Sequence, residues 1–157
     1  MGRDGCDRRL AEQCSNLFAE LPHPLQYRVL VEQLAVCRLA AEAHIPDWAL
    51  QGGFFCVMRT PDELSIVCAN DLCPADPLPQ RASAERGWLA LKLEGPFPFL
   101  MTGVLASFVQ PLAEAQIPIF AISTFDTDYV LIKRAHIEQA VLTLAAAGHK
   151  KIDETTA

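Results

Sequence analysis

The sequence predicts an α+β fold in which antiparallel sheets carry helices on one face, arranged as two modules of unequal completeness. Three observations predict it. Short apolar runs with period-two alternation recur between turn-forming residues: LAVCRL, FFCVMRT, LSIVCA, WLALKL, IPIFAISTF and YVLIK. Two longer stretches, TGVLASFVQPLAEAQ and AHIEQAVLTLAAAGH, repeat apolar residues three and four positions apart, the period of a helix with one buried face. Half of the chain is apolar, 51% of 157 residues, which is enough to bury a core.

Residues 1–25 are polar and mixed and end in the stiff LPHPL, so they are expected to form a partly ordered arm with one short helix around residues 8–20. A first module is expected over residues 26–74. Its opening strand covers 34–39, with Leu34, Val36 and Arg38 on one face and Ala35, Cys37 and Leu39 on the other. Pro46 is suited to open a short helix over 47–50, which Gly52 and Gly53 close. FFCVMRT, the turn TPDE and LSIVCA make a hairpin. A run rich in Pro, Ala, Asp and Ser follows, and residues 75–86 are expected to be a linker.

A second module is expected over 87–149. WLALKLEG is a strand with Leu89, Leu91 and Leu93 on one face, and GPFPFLMTG is a loop stiffened by Pro96 and Pro98. The helix that follows has Thr102 as its candidate N-cap and a stripe of Val104, Leu105, Phe108 and Leu112. Pro111 removes one helical hydrogen bond, but the stripe runs past it. A buried strand, a tight turn over 126–128 and a returning strand lead to a last helix. Ile137, Val141 and Leu144 mark its inner side, and Gly148 its stop. Residues 150–157 are a polar tail. The order strand, helix, strand, strand, helix is that of a ferredoxin-like (βαββαβ) sandwich short of its last strand. That strand must come from the tail, the other module or another chain. The first module echoes the second with a shorter first connection and no clear second helix, so it reads as a degenerate copy.

Composition narrows the function. A net charge of −6 and a pI near 5.1 oppose a nucleic-acid-binding surface, which needs a basic stripe. No apolar run is long enough to cross a bilayer, and the first residues carry no apolar signal core, so a cytoplasmic protein is expected. The six cysteines include no CxxC pair and no accompanying histidine pair, so buried thiols are expected rather than a zinc site. The four histidines lack nucleophile or metal spacing and are assigned to the surface. No catalytic motif is present, so neither an enzyme nor a cofactor is expected.

Residues 88–149, through LEGPF, TGVLAS, PLAEA and STFDTDYVL, resemble the ACT-domain subfamily shared by small bacterial ACT proteins and the CASTOR-type arginine sensors. They are more distantly similar to the regulatory domains of aspartate kinases. FCVMRTPDELSIVC extends the resemblance to the first module, as in small proteins with two tandem ACT modules. The resemblance implies an amino acid held between the strand-to-helix loop and the second strand, at an interface between modules. Carried onto this chain, it marks Thr102, Gly103 and Val104 at the helix start, Ile122, Ser123, Thr124 and Phe125 on the second strand, and Asp126, Thr127 and Asp128 in the turn. One departure is visible. Many ACT domains place an acidic residue, a Pro and a Gly directly before the helix, whereas Phe99, Leu100 and Met101 precede Thr102 and Gly103 here.

The chemistry of these residues fits that placement. A helix N-terminus offers unpaired N–H groups to a carboxylate, Gly103 admits close approach, and Asp126 and Asp128 offer charge to an ammonium group. Each also has a plainer role, with Thr102 a cap and Asp126 and Asp128 turn formers; Phe97 and Phe99 either line a ligand loop or cover the core, and core cover is the favoured reading. Two functions follow: a sensor that binds a free amino acid and acts on a regulated protein, or a ligand-free module that pairs through open sheet edges. Both predict a homodimer.

Overall fold

The computed structural model describes residues 24–75 and 82–153. The expected arm and its helix lie outside these residues, apart from Pro24 and Leu25. The strands are β1 (Gln26–Leu39), β2 (Cys56–Arg59), β3 (Leu64–Ala69), β4 (Ser83–Leu93), β5 (Ile119–Ser123), β6 (Asp128–Lys133) and β7 (Lys150–Lys151). The helices are α1 (Val104–Glu114) and α2 (Ile137–Ala146), with 3-10 turns at Asp47–Leu50 and Arg134–His136. The strands form one sheet in the order β2-β3-β1-β4-β6-β5, and β7 joins the start of β1. Among the described residues no helix is long and apolar enough to cross a membrane. The α+β class with an antiparallel sheet and two helices is as the sequence predicts.

β1 is the main departure. The strand expected over 34–39 begins eight residues earlier, at Gln26. Its second half pairs with β3, from Leu34↔Ala69 to Leu39↔Leu64, and its first half with β4, Tyr27↔Leu93 to Val29↔Leu91. The strand missing after Gly148 is therefore supplied by β1, which runs through both halves of the molecule. The tail is not wholly free: Lys150 and Lys151 pair in parallel with Gln26 and Tyr27. Amides of Lys150 and Ile152 donate to the carbonyls of Leu25 and Tyr27.

Residues 83–86, expected to belong to a linker, are the first part of β4. Gly87 takes a φ of +73°, which lets the strand bulge and continue instead of ending. Beyond the bulge, Glu85, Ala84 and Ser83 pair with Val36, Cys37 and Arg38. The Asn70 side-chain carbonyl accepts the Gly87 N–H at 3.2 Å, and the Arg86 guanidinium donates to the carbonyls of Asn70, Cys73 and Pro74.

Period-two alternation sorts the core. On the helix side, Tyr27, Leu91, Leu93, Val130 and Ile132 pack against Phe108, Leu112, Ala140 and Leu144. On the same side of the first half, where no long helix of the described residues lies, Ala35, Cys37, Ile66 and Cys68 pack under Ala49 and Trp48. The opposite side carries Leu34, Val67, Trp88, Ala90 and Leu131, with Phe54, Ile122 and Tyr129 against them. Phe54, just before the edge strand β2, stacks edge-on against Tyr129 of β6 at 5.1 Å. Strands far apart in the order thus meet, so the sheet is curled around this third cluster.

Helix α1 keeps its course through Pro111. Proline at that position leaves the Ser107 carbonyl without its usual donor. The ring of His149 reaches it, with Nε2 at 3.3 Å, while Leu25 N–H donates to Nδ1 at 3.3 Å. The acceptor role of Nδ1 places the proton on Nε2. His149 is thus buried, not on the surface as expected, because it repairs a gap that Pro111 opens. The inner side of α2 is centred on Ala140 and Leu144, with Ile137 only partly buried. Gly148, at φ +92°, ends it as expected.

Candidate functional site

Loop 94–103 between β4 and α1 and the turn between β5 and β6 face each other across the start of α1. The Phe97 amide donates to the Asp126 carbonyl at 2.9 Å, tying loop to turn. Gly95 makes this approach possible, since a Cβ there would collide with the same carbonyl. Within the turn, the Thr124 amide and hydroxyl both donate to the Thr127 carbonyl at 2.8 Å. The Thr127 hydroxyl donates to the Leu93 carbonyl at 2.6 Å, anchoring the turn to β4.

These elements enclose a cleft of about 330 Å³. Its floor is the first turn of α1, with Gly103, Val104, Leu105 and Ala106. The amide of Ser107 is the first to find an intrahelical partner, the Gly103 carbonyl, so the three amides before it lie at the open helix end. One wall is Ser123, Thr124, Phe125, Asp126, Thr127 and Asp128; the other is Phe97, Pro98, Phe99 and Met101. The Ser123 hydroxyl donates to Asp128 Oδ1 across the β5–β6 ladder, where the two residues pair. Among the described residues that line it there is no lysine, arginine or histidine. The cleft therefore combines amide donors and a partial positive charge with two carboxylates, as an amino-acid zwitterion requires.

Eight of the ten residues singled out from the sequence line this cleft. Thr102 does not: it is exposed, and the helix begins at Val104, with Gly103 at the N-cap in a left-handed conformation, φ +79°, and no side-chain cap. Ile122 does not either. Alternation along β5 turns it to the other side of the sheet, against the third cluster with Tyr129. Thr127 lines the cleft, but its hydroxyl is committed to Leu93. Sequence reasoning missed Pro98, Met101, Leu105 and Ala106, and read Phe99 as core cover although it is 74% exposed. Phe99 packs edge-on against Phe125 at 4.8 Å, forming an apolar lip with Met101. The signal was the spacing FPFLM, in which apolar residues with no periodic partner precede a helix start.

Comparison with known proteins places this arrangement. The ACT-domain family model matches residues 83–146, and a model of an N-terminal domain matches residues 32–76. The human putative protein CASTOR3P is 30% identical over 101 residues, 59% of this chain and 62% of its own. This chain therefore spans less than two thirds of that relative. The crystal structure of protein Atu0741 from Agobacterium tumefaciens is 38% identical, covers 85% of this chain and 96% of its own, and superposes with a TM-score of 0.75. The regulatory subunit of aspartate kinase from Thermus flavus shares the fold, with a TM-score of 0.54 at 15% identity over 77% of this chain and 95% of its own. Residues 83–146 therefore carry an ACT domain, the chain is similar in sequence to CASTOR3P, and it shares its fold with the regulatory subunit of aspartate kinase.

Proposed function

We propose that the protein is a regulatory amino-acid-binding protein, and that its ligand occupies the cleft between loop 94–103, the start of α1 and the β5–β6 turn. The observation that carries this reading is the pairing of open helix amides at Val104–Ala106 with the carboxylates of Asp126 and Asp128 in one cleft. The ligand carboxylate meets the amides, and its ammonium group meets the aspartates. Its side chain lies towards Phe97, Phe99, Met101 and Phe125. Two carboxylates with no basic side chain beside them disfavour a second negative charge, so aspartate and glutamate bind worst. In this reading residues 26–74 and 87–149 act as two modules, and the ligand changes how modules pair, because a ligand that prefers one assembly shifts the population towards it.

The test is thermal unfolding of the purified chain in the presence of each of the twenty amino acids. A ligand at a hundred times its Kd stabilises the native state by about 2.7 kcal/mol, a readable rise in Tm. The expected result is a rise with at least one amino acid, lost in Asp126→Ala. Asp126 is exposed, so that change leaves the fold intact. Absence of any rise at millimolar concentration sinks the sensor reading. A second reading, a ligand-free pairing module, is favoured by one observation: Phe99, Leu100 and Phe125 are 74%, 95% and 77% exposed beside the edge strand β5. It predicts association that no amino acid alters.

A further inference from the structure

The first half of the molecule holds a feature that the cleft does not use. Cys37 on β1, Cys68 on β3 and Cys73 after β3 are buried in one apolar cluster with Ala35, Ile66 and Trp48. Register explains the first two, since Ala35 pairs with Cys68 and Cys37 with Ile66 on a common face. Cys73 arrives from the chain after β3, which turns back through hydrogen bonds donated by the Leu72 and Cys73 amides to the Ala69 carbonyl. The Arg86 guanidinium grips this segment by the carbonyls of Asn70, Cys73 and Pro74. The outcome is a Cys37 Sγ to Cys73 Sγ separation of 3.3 Å between residues 36 apart in sequence. Cys37 also lines a small apolar cavity of about 100 Å³ with Leu39, Pro46, Trp48 and Pro74. A cavity of that size admits a molecule as small as hydrogen peroxide and excludes a larger thiol such as glutathione.

We propose that Cys37 and Cys73 are a dithiol site that a small hydroperoxide converts to a disulfide, clamping β1 to the segment that leads into β4. Two steps balance the reaction. One sulfur attacks a peroxide oxygen: an S–O bond forms, the O–O bond breaks, and the departing oxygen leaves with the thiol proton, as water from hydrogen peroxide or as an alcohol from an organic hydroperoxide. The second sulfur then attacks the sulfenic sulfur: the S–S bond forms, the S–O bond breaks, and the oxygen leaves as water with the second thiol proton. The two thiols lose two electrons and the peroxide gains them.

The hydrogen bond with Cys68, and then burial, push Cys37 up against an opposing hydrogen bond from Cys73, and burial raises Cys73 to about 11, so little thiolate exists on either near neutral pH. Among the described residues, the charged and titratable groups acting on the pair are Cys68 and Arg86, with Asp71 acting on Cys68; the cationic Arg86 opposes the rise. Oxidation is therefore slow at neutral pH and accelerates as pH rises towards 11. Once formed, the link constrains the unfolded chain and raises the melting temperature.

The experiment uses the full chain with Cys6→Ser and Cys14→Ser, reduced, exposed to hydrogen peroxide, then alkylated and digested for mass spectrometry. The expected product is a single cross-linked peptide pair joining Cys37 to Cys73, lighter by two hydrogens. Cys56, which faces the opposite side of the sheet, is recovered alkylated. The melting temperature rises and returns on reduction; Cys73→Ala shows neither change, while Cys68→Ala still forms the link. If a variant does not fold, the peptide map of the peroxide-treated parent decides alone. Recovery of Cys37 and Cys73 as separate alkylated thiols, or a link to Cys68 in place of Cys73, overturns the proposal.

Discussion

At the scale of single residues, the cleft depends on side chains whose absence or orientation matters more than their chemistry. Gly95 contributes nothing but room, and its neighbour across the gap is the Asp126 carbonyl that holds loop to turn. Gly95→Ala forces these backbones apart, and overpacking of this kind costs about 1–3 kcal/mol. Chemical denaturation is expected to show that loss, and amino-acid binding to weaken with it; an unchanged midpoint would mean that the loop moves freely. Ile122 and Ser123 teach the same lesson from the other direction. They are adjacent in sequence, yet the pleat places Ser123 in the cleft and Ile122 in the core. Residues at the end of a strand are therefore legible as site or core only once the inward-facing parity of the strand is known.

At the scale of elements, α1 shows how a local flaw is repaired at a distance. The stripe of Val104, Phe108 and Leu112 is buried as predicted, and Pro111 sits inside the helix. The Ser107 carbonyl that Pro111 frees is met by His149, from the segment between α2 and β7, and the same ring accepts from Leu25 at the entry to β1. One imidazole thus joins three elements, and it also stacks edge-on against Phe108 at 5.2 Å. His149→Ala leaves two buried backbone groups without partners. Each orphaned group costs about 1–3 kcal/mol, so urea denaturation is expected to show a loss of at least that size. A loss below half a kilocalorie would show that the backbone groups find other partners. His149 could not be found from spacing, because its partners stand 42 and 124 positions away.

At the scale of the whole molecule, the two halves are not separate bodies on a linker. β1 pairs with β3 through its second half and with β4 along most of its length, so one strand carries the sheet from one half to the other. The sheet continues from the cleft side of the molecule into the first half through β6 and β4, which pair from Trp88↔Lys133 to Lys92↔Tyr129. The ends of the path, β2 and β5, are edges in this chain. Pairing with a second copy would cover them and the apolar lip together. Light scattering at micromolar concentration is expected to give a dimer, twice the 17.2 kDa of the chain, and a clean monomer would refute that expectation.

The amino-acid sequence by itself determined the fold class, most of the strands, both long helices and the stretch that forms the cleft. These rest on local physics: the alternation in LSIVCA and YVLIK, the helical stripe through Phe108, the glycine stop at Gly148 and the turn chemistry of Asp126 to Asp128. Only the tertiary structure decided the rest. The early start of β1, the continuation of β4 past Gly87, the source of the missing strand and the burial of His149 all rest on contacts between residues far apart in the chain. The start of β1, QYRVLVEQ, carries the aromatic and β-branched residues of a strand, but its place in the sheet is set by β4, which offers it hydrogen-bonding partners. Local propensity records what a segment prefers when alone, and it does not name the distant strand that the segment pairs with.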